Sequence, residues 1–102
     1  AGAAGGTNAD DYSRDIKLDS NGNIYVTGFS GNSAGDEDMV VWKFDSTGTP
    51  VSTFGTDGIV VSDGAAGVAN VDDRGVAMEL DGSGNLYVMG SSLQKMVIWN
   101  YN

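Results

Sequence analysis

The sequence contains no cysteine and no histidine. Without these side chains the chain cannot form a disulfide, a thiolate or imidazole metal site, a Cys–His pair or a Ser-His-Asp triad. Only carboxylates remain for acid–base chemistry, and nothing in the sequence predicts a cleft that would separate the pKa of one carboxyl from that of another. We therefore expect no enzymatic activity, no catalytic residue and no cofactor other than calcium, which is considered below.

Basic residues are scarce. Five lysines and arginines stand against fourteen aspartates and glutamates, which gives a formal net charge of −9. Such a chain repels phosphate backbones, so nucleic acid is excluded as a partner. No run approaches the roughly 18 apolar residues of a membrane helix, so no membrane span is predicted.

The chain has one proline and sixteen glycines among 102 residues. The glycines occur with Asn, Asp, Ser and Thr, and β-branched or aromatic residues lie between these polar groups. That composition is typical of short strands separated by tight turns. It predicts an all-β fold.

The most informative feature is an internal repeat. GAAGGTNADD, which begins at Gly2, recurs as GAAGVANVDD 62 residues later, and KLDSNGNIYVTG recurs as ELDGSGNLYVMG at the same offset. MVVWKF at Met39 then matches MVIWNY at Met96, 57 residues later, because the loop GNSAGDED (Gly31 to Asp38) has only LQK as its counterpart.

Each repeat reads as a series of short antiparallel strands. The first repeat, residues 1–62, predicts strands near 14–18, 23–29, 39–44 and 58–62. The second repeat, residues 63–102, predicts strands near 76–80, 85–91 and 96–101 and lacks the outer strand. Apolar residues fall on both faces of these strands, which indicates sheets stacked face to face.

GTNADDYSRDIKLDSNGNIYVTGFS, followed by DMVVWKFDSTG, resembles the repeat of bacterial seven-bladed β-propeller proteins, the SBBP-type repeat. Blades of that family carry an Asp-x-x-Gly-Asn-hydrophobic-Tyr-Val-Thr-Gly core. STFGTDGIVV is similar to the tail of related bacterial propeller repeats of about sixty residues. The resemblance implies four-stranded antiparallel blades and an extracellular or cell-surface location, and no family active site maps onto this chain.

Positions that recur in both repeats are candidates for the structural core, because a residue repeated at one strand position more often packs between blades than binds a ligand. These candidates are Leu18, Tyr25, Val26, Gly28, Trp42, Leu80, Tyr87, Val88, Gly90 and Trp99. The tyrosines leave a second interpretation open, since exposed aromatic rings also stack on sugars.

One candidate metal site stands out in the loop Gly31 to Asp38. Asp36, Glu37 and Asp38 are consecutive carboxylates there. Calcium prefers several oxygen ligands from such loops. We expect calcium, if it binds, to bind at these three residues.

Two repeats cannot close a propeller, which needs about four to eight blades. We therefore expect a non-catalytic structural or binding module that either self-associates into a ring or forms part of a longer propeller. The same blade and edge-strand contacts, left unclosed, would build an extracellular filament or surface layer. A surface carbohydrate- or calcium-binding module is the alternative from a different class.

Overall fold

A computed structural model describes residues 10–33, 35–62, 72–92 and 95–101. The glycine-rich segments that open the two repeats lie outside these ranges. The described residues form strands and turns without any helix, so the predicted all-β fold is confirmed. They also contain no helix that could cross a membrane.

The seven strands of these ranges are β1 (Asp11–Leu18), β2 (Ile24–Gly31), β3 (Glu37–Phe44), β4 (Ile59–Ser62), β5 (Asp73–Leu80), β6 (Leu86–Ser92) and β7 (Lys95–Tyr101). They build two antiparallel sheets. The first sheet has the order β1-β2-β3-β4, and the second has the order β5-β6-β7. These are open, propeller-like blades, the first with four strands and the second with three.

The first strand of each repeat begins three residues earlier than the sequence pattern indicates. The reason is a β-bulge. The pairing register shifts between Ser13 and Asp15 in β1, and again between Gly75 and Ala77 in β5. The extra residue interrupts the two-residue alternation on which strand prediction depends, so the pattern becomes readable only after it.

A recurrent aspartate turn connects β1 to β2 and β5 to β6 and begins the longer connection from β3 to β4. In the first, the Asp19 carboxylate accepts backbone N–H bonds from Asn21 and Asn23, both 2.9 Å long. The Gly22 N–H donates to the Asp19 carbonyl oxygen over 3.1 Å, and Gly22 has a φ of 81°. Asp45 and Asp81 begin turns with the same bonds. Glycine follows at the left-handed position because a Cβ is disfavoured there.

The bulge explains why a glycine, Gly28 or Gly90, ends the Tyr-Val-x-Gly core of each repeat. A Cβ on Gly28 would overlap the Tyr12 carbonyl oxygen and stand 2.8 Å from its carbonyl carbon. A Cβ on Gly90 would meet the carbonyl group of Arg74 in the same way, also 2.8 Å from the carbon. The bulged strand bends its backbone onto the neighbouring strand, and only glycine leaves the space.

The core lies between the two sheets. Its buried members come from both of them: Tyr25, Met39, Val41, Met78, Leu86, Val88 and Trp99. Phe54, in the connection between β3 and β4, packs against this cluster, with its ring edge-on to Tyr25 at a centroid distance of 6.0 Å. We call the interface between the sheets the seam.

Replacement of Gly28 by alanine should destabilise the fold by about 3 kcal/mol, because the added methyl group meets backbone that belongs to the bulge. Chemical denaturation measures the loss. Gly82→Ala is the matched control, since a Cβ on Gly82 meets nothing within 4 Å. Equal stability of the two variants would contradict the proposed role of the bulge.

Candidate interaction faces

Each sheet has two faces, and because of the repeat each face of the first sheet has an equivalent face in the second sheet. We call front the face that carries Met78, Leu86 and Val88 in the second sheet. Ile16, Ile24 and Val26 occupy the equivalent positions in the first sheet. We call back the opposite face, which carries Tyr25, Met39 and Val41 in the first sheet and Tyr87, Met89 and Ile98 in the second. At the seam, the back of the first sheet packs on the front of the second.

One carboxylate ties the two bulges together across the seam. The Ile16 N–H of the first sheet donates to Oδ1 of Asp15 over 2.9 Å. The N–H of Met78, the equivalent position in the second sheet, donates to Oδ2 of the same carboxylate over 2.7 Å. Asp15 therefore satisfies equivalent backbone groups in both sheets.

Further polar contacts fix the lateral position of the sheets. The Trp99 indole N–H donates to the Ser62 hydroxyl oxygen over 2.9 Å. Arg74 donates through Nε to Glu37 over 2.7 Å, and the Lys17 ammonium lies 3.4 Å from a Glu79 carboxylate oxygen. These contacts join positions that are distant in the sequence, so they select one docking geometry for the two sheets.

Asp73 is the one polar residue whose buried carboxylate atoms lack a hydrogen-bond partner among the residues the structure describes. Its side chain is fully buried, and both carboxylate oxygens are unbonded. The equivalent residue in the first repeat, Asp11, accepts a hydrogen bond from the Ser30 hydroxyl. A buried polar group without a partner opposes folding.

The front of the first sheet is partly uncovered. Ile16, Leu18 and Val61 are exposed there by 57%, 63% and 43%. At the seam, the equivalents of Ile16 and Leu18 are Met78, which is buried, and Leu80, which packs against the core. The exposed positions are therefore those that a neighbouring sheet covers elsewhere in the same chain.

The back of the second sheet is also uncovered. Tyr87, Met89 and Ile98 are exposed by 38%, 47% and 67%, whereas Tyr25, Thr27 and Val41 at the equivalent positions of the first sheet are buried. A largely apolar groove of about 500 Å³ runs along this region. It is lined by Asp15, Ala77, Met78, Glu79, Tyr87, Val88, Met89 and Ile98.

The structure separates the ten predicted core residues according to whether their face of the sheet lies at the seam or is open. Tyr25, Val88 and Trp99 are buried at the seam, and Leu80 packs against them. Gly28 and Gly90 are the close-approach glycines. The remaining four residues lie on open faces, half-buried or exposed: Leu18, Val26, Trp42 and Tyr87.

The predicted calcium ligands have contacts of their own. Glu37 pairs with Arg74, and the buried Asp38 accepts a hydrogen bond from the Asn32 amide over 2.9 Å. Glu37 and Asp38 lie in β3 rather than in a loop. Within the described ranges, no group of three acidic residues is placed to hold a metal ion. Calcium binding by Asp36, Glu37 and Asp38 stays a prediction.

Sequence reasoning missed Asp15, Asp73 and the pair of Lys17 with Glu79. The available signal was a break in the repeat. Asp15 is replaced by Ala77, and Lys17 is replaced by Glu79, a residue of opposite charge. A change in charge at one repeat position indicates a contact between repeats, where the two copies must complement each other rather than match.

The turn aspartates are held in their ionised form. The hydrogen bond from the Asn23 side chain lowers the pKa of Asp19 below its ordinary value of 3.8. Hydrogen bonds from Thr47 lower the pKa of Asp45, and the Asn85 side chain lowers that of Asp81. These carboxylates serve as structural acceptors in the turns.

Residues 4–33 match the model of the SBBP family, described as a beta-propeller repeat. The match includes the Asp-x-x-Gly-Asn-Ile-Tyr-Val-Thr-Gly core and confirms the resemblance found in the sequence. No curated protein and no solved structure matches the chain.

Substitution of Asp73 by asparagine should stabilise the protein by about 1–3 kcal/mol, because it removes a carboxylate that is buried without a partner. Thermal unfolding at pH 7 gives the comparison. Asp11→Asn is the control at the equivalent position, and there no gain is expected, because Asp11 already accepts a hydrogen bond from the Ser30 hydroxyl. A lower melting temperature for Asp73→Asn would mean that its carboxylate has a stabilising partner.

The turn aspartates should make the protein acid-labile. Since their pKa is lowered by folding, their contribution to stability is fully present above about pH 5 and is lost as the pH falls below 3.8 through the folded-state values. Asparagine keeps the turn acceptor but does not titrate. The triple variant Asp19→Asn, Asp45→Asn, Asp81→Asn should lose less stability than the parent protein between pH 5 and pH 2, as measured by urea unfolding; parallel curves would contradict this.

Proposed function

We propose that this chain, in which residues 4–33 match a beta-propeller repeat, is a non-catalytic structural or binding module whose open sheet faces take further blades. A single observation carries the proposal. The uncovered front of the first sheet and the uncovered back of the second hold the same repeat positions that pack on each other at the seam. The open front of the first sheet is equivalent to the front that is buried at the seam, and the open back of the second sheet is equivalent to the back that is buried there.

Energetics support covering these faces. Ile16, Leu18 and Ile98 each expose more than half of their surface. Apolar area removed from water contributes roughly 25 cal/mol per Å². A further blade on either side would bury these side chains and extend a core that two sheets alone keep small.

The contact is heterologous, because a front meets a back. Such contacts close into a ring when the rotation between successive units allows it and otherwise continue as a filament. We propose ring closure or membership in a longer propeller as the principal form. An extracellular filament or surface layer would form from the same contact if successive copies did not close into a ring.

The chemistry of the chain supports a role without catalysis. Histidine and cysteine are absent from the sequence. The aspartates of the three turns hold backbone N–H groups, and Asp15 holds two more at the bulges. These carboxylates are used to fix the sheets.

We also propose an extracellular or cell-surface location, which rests on the resemblance to exported propeller proteins. Binding of carbohydrate or calcium is a separate proposal that the sequence raises. The exposed Tyr87 beside the apolar groove is a feature that suits a sugar ring.

Replacement of Ile98 by lysine tests the open faces. We expect the parent protein to associate with increasing concentration, and Ile98→Lys to weaken that association about tenfold, because it places a charge where a blade should pack. Light scattering on a sizing column measures the mass. Thr53→Lys is the control, since it adds the same charge at an exposed residue of the connection before β4.

Two outcomes would contradict the proposal. One is a folded protein that stays at 10.5 kDa at every concentration, because its faces would then need no cover. The other is an equal effect of Ile98→Lys and Thr53→Lys, because association would then respond to charge alone.

A further inference from the structure

We propose that the partner of the open faces is a second copy of this chain, docked head to tail. In this arrangement the back of the second sheet of one copy packs on the front of the first sheet of the next, and Glu79 pairs with Lys17 of that next copy. The inference rests on the proposed function and names the blade that the faces receive.

The first argument is charge complementarity. At the seam, Lys17 of the first sheet lies 3.4 Å from Glu79 at the equivalent position of the second sheet. Continuing the same packing to a second copy brings Glu79 of one chain to Lys17 of the next. The two repeats carry opposite charges at this position, so the contact between copies is again an ion pair. Two identical repeats would place like charges together, which is unfavourable.

Glu79 is available for this contact. Its side chain is 79% exposed, and that of Lys17 is 36% exposed. The pair within the chain therefore leaves most of the Glu79 carboxylate in solvent, where a second ammonium group can reach it. Steering by such exposed pairs favours one register over others more than it adds affinity.

The second argument concerns the bulge amides. Within the chain, Asp15 supplies an acceptor to Met78 N–H across the seam. In the contact between copies, Ala77 takes the place of Asp15 and supplies no acceptor. None is needed, because the Ile16 N–H that it would face is already bonded to Asp15 of its own sheet. The copy contact therefore leaves this amide satisfied.

The third argument is continuity with the seam. Ala77 lies in the apolar groove of about 500 Å³, at the position where the first sheet has the larger Asp15. The equivalence of faces directs Ile16 and Leu18 of the next copy toward this groove, as Met78 and Leu80 are directed toward Tyr25 at the seam. Apolar side chains thus meet apolar side chains on both sides of the contact.

Mixing two charge variants tests the pairing between copies. Lys17→Glu should weaken self-association about tenfold, because Glu79 would then meet a carboxylate, and Glu79→Lys should do the same with two ammonium groups. In an equimolar mixture, each variant presents the charge that the other lacks. We expect the mixture to recover the mass of the parent assembly by light scattering, in alternating order.

This recovery has only one source. Mixing leaves the charge repulsion inside each chain unchanged and restores opposite charges only between chains. The double variant Lys17→Glu, Glu79→Lys should associate as the parent does, and a mixture of Lys17→Gln with Glu79→Gln should gain less than the charge-reversed mixture, because only every second contact between copies then regains an ion pair. Circular dichroism of each variant establishes that it is folded before mixing.

The outcomes separate the two proposals. If Ile98→Lys disrupts association but the charge variants do not complement each other, the open faces take a further sheet without pairing Glu79 to Lys17 of the next copy, and only this inference fails. If the parent protein does not associate at all, both proposals fail. Complementation in the mixture supports both.

Discussion

The structure depends on burying the back of one sheet against the front of the next. Neither sheet has a core of its own, since the buried cluster takes Tyr25, Met39 and Val41 from one and Met78, Leu86, Val88 and Trp99 from the other. A single layer of three or four strands with apolar residues on both faces leaves those residues in water until a second layer packs on it. The hydrophobic gain is therefore obtained only when the two repeats dock.

Docking requires a close approach of β1 and β5, the first strands of the two sheets, and the bulges in these strands make it possible. Gly28 and Gly90 admit the bent strands, and Gly75 allows β5 to approach the first sheet, where a Cβ would stand 3.1 Å from the side chain of Met39. The bulge also turns a backbone N–H of each repeat toward one carboxylate, that of Asp15. The bulges thus determine both how closely the strands approach and how these backbone N–H groups are hydrogen-bonded.

The repeat and its departures have different consequences. Positions that are the same in both repeats, such as the turn aspartates and the glycines beside the bulges, give each sheet the same shape and hence the same two faces. Positions where the repeats differ, Asp15 with Ala77 and Lys17 with Glu79, make the faces complementary. The described part of the chain thus leaves one face of each sheet open, and its carboxylates act as acceptors and charge partners.

The sequence by itself determined the fold class, the number of strands and the hairpin turns. These depend on local patterns that a reader can see: alternation in Ile24 to Phe29, and Asp-x-x-Gly at Asp19, Asp45 and Asp81. Only the tertiary structure decided which copy of each repeated residue is buried. Tyr25 is covered and Tyr87 is exposed, although each follows an Asn and an aliphatic residue and precedes a valine. The physical reason is that the adjoining sheet buries these positions. The β-bulge that allows the sheets to approach cannot be detected from a two-residue alternation in the sequence.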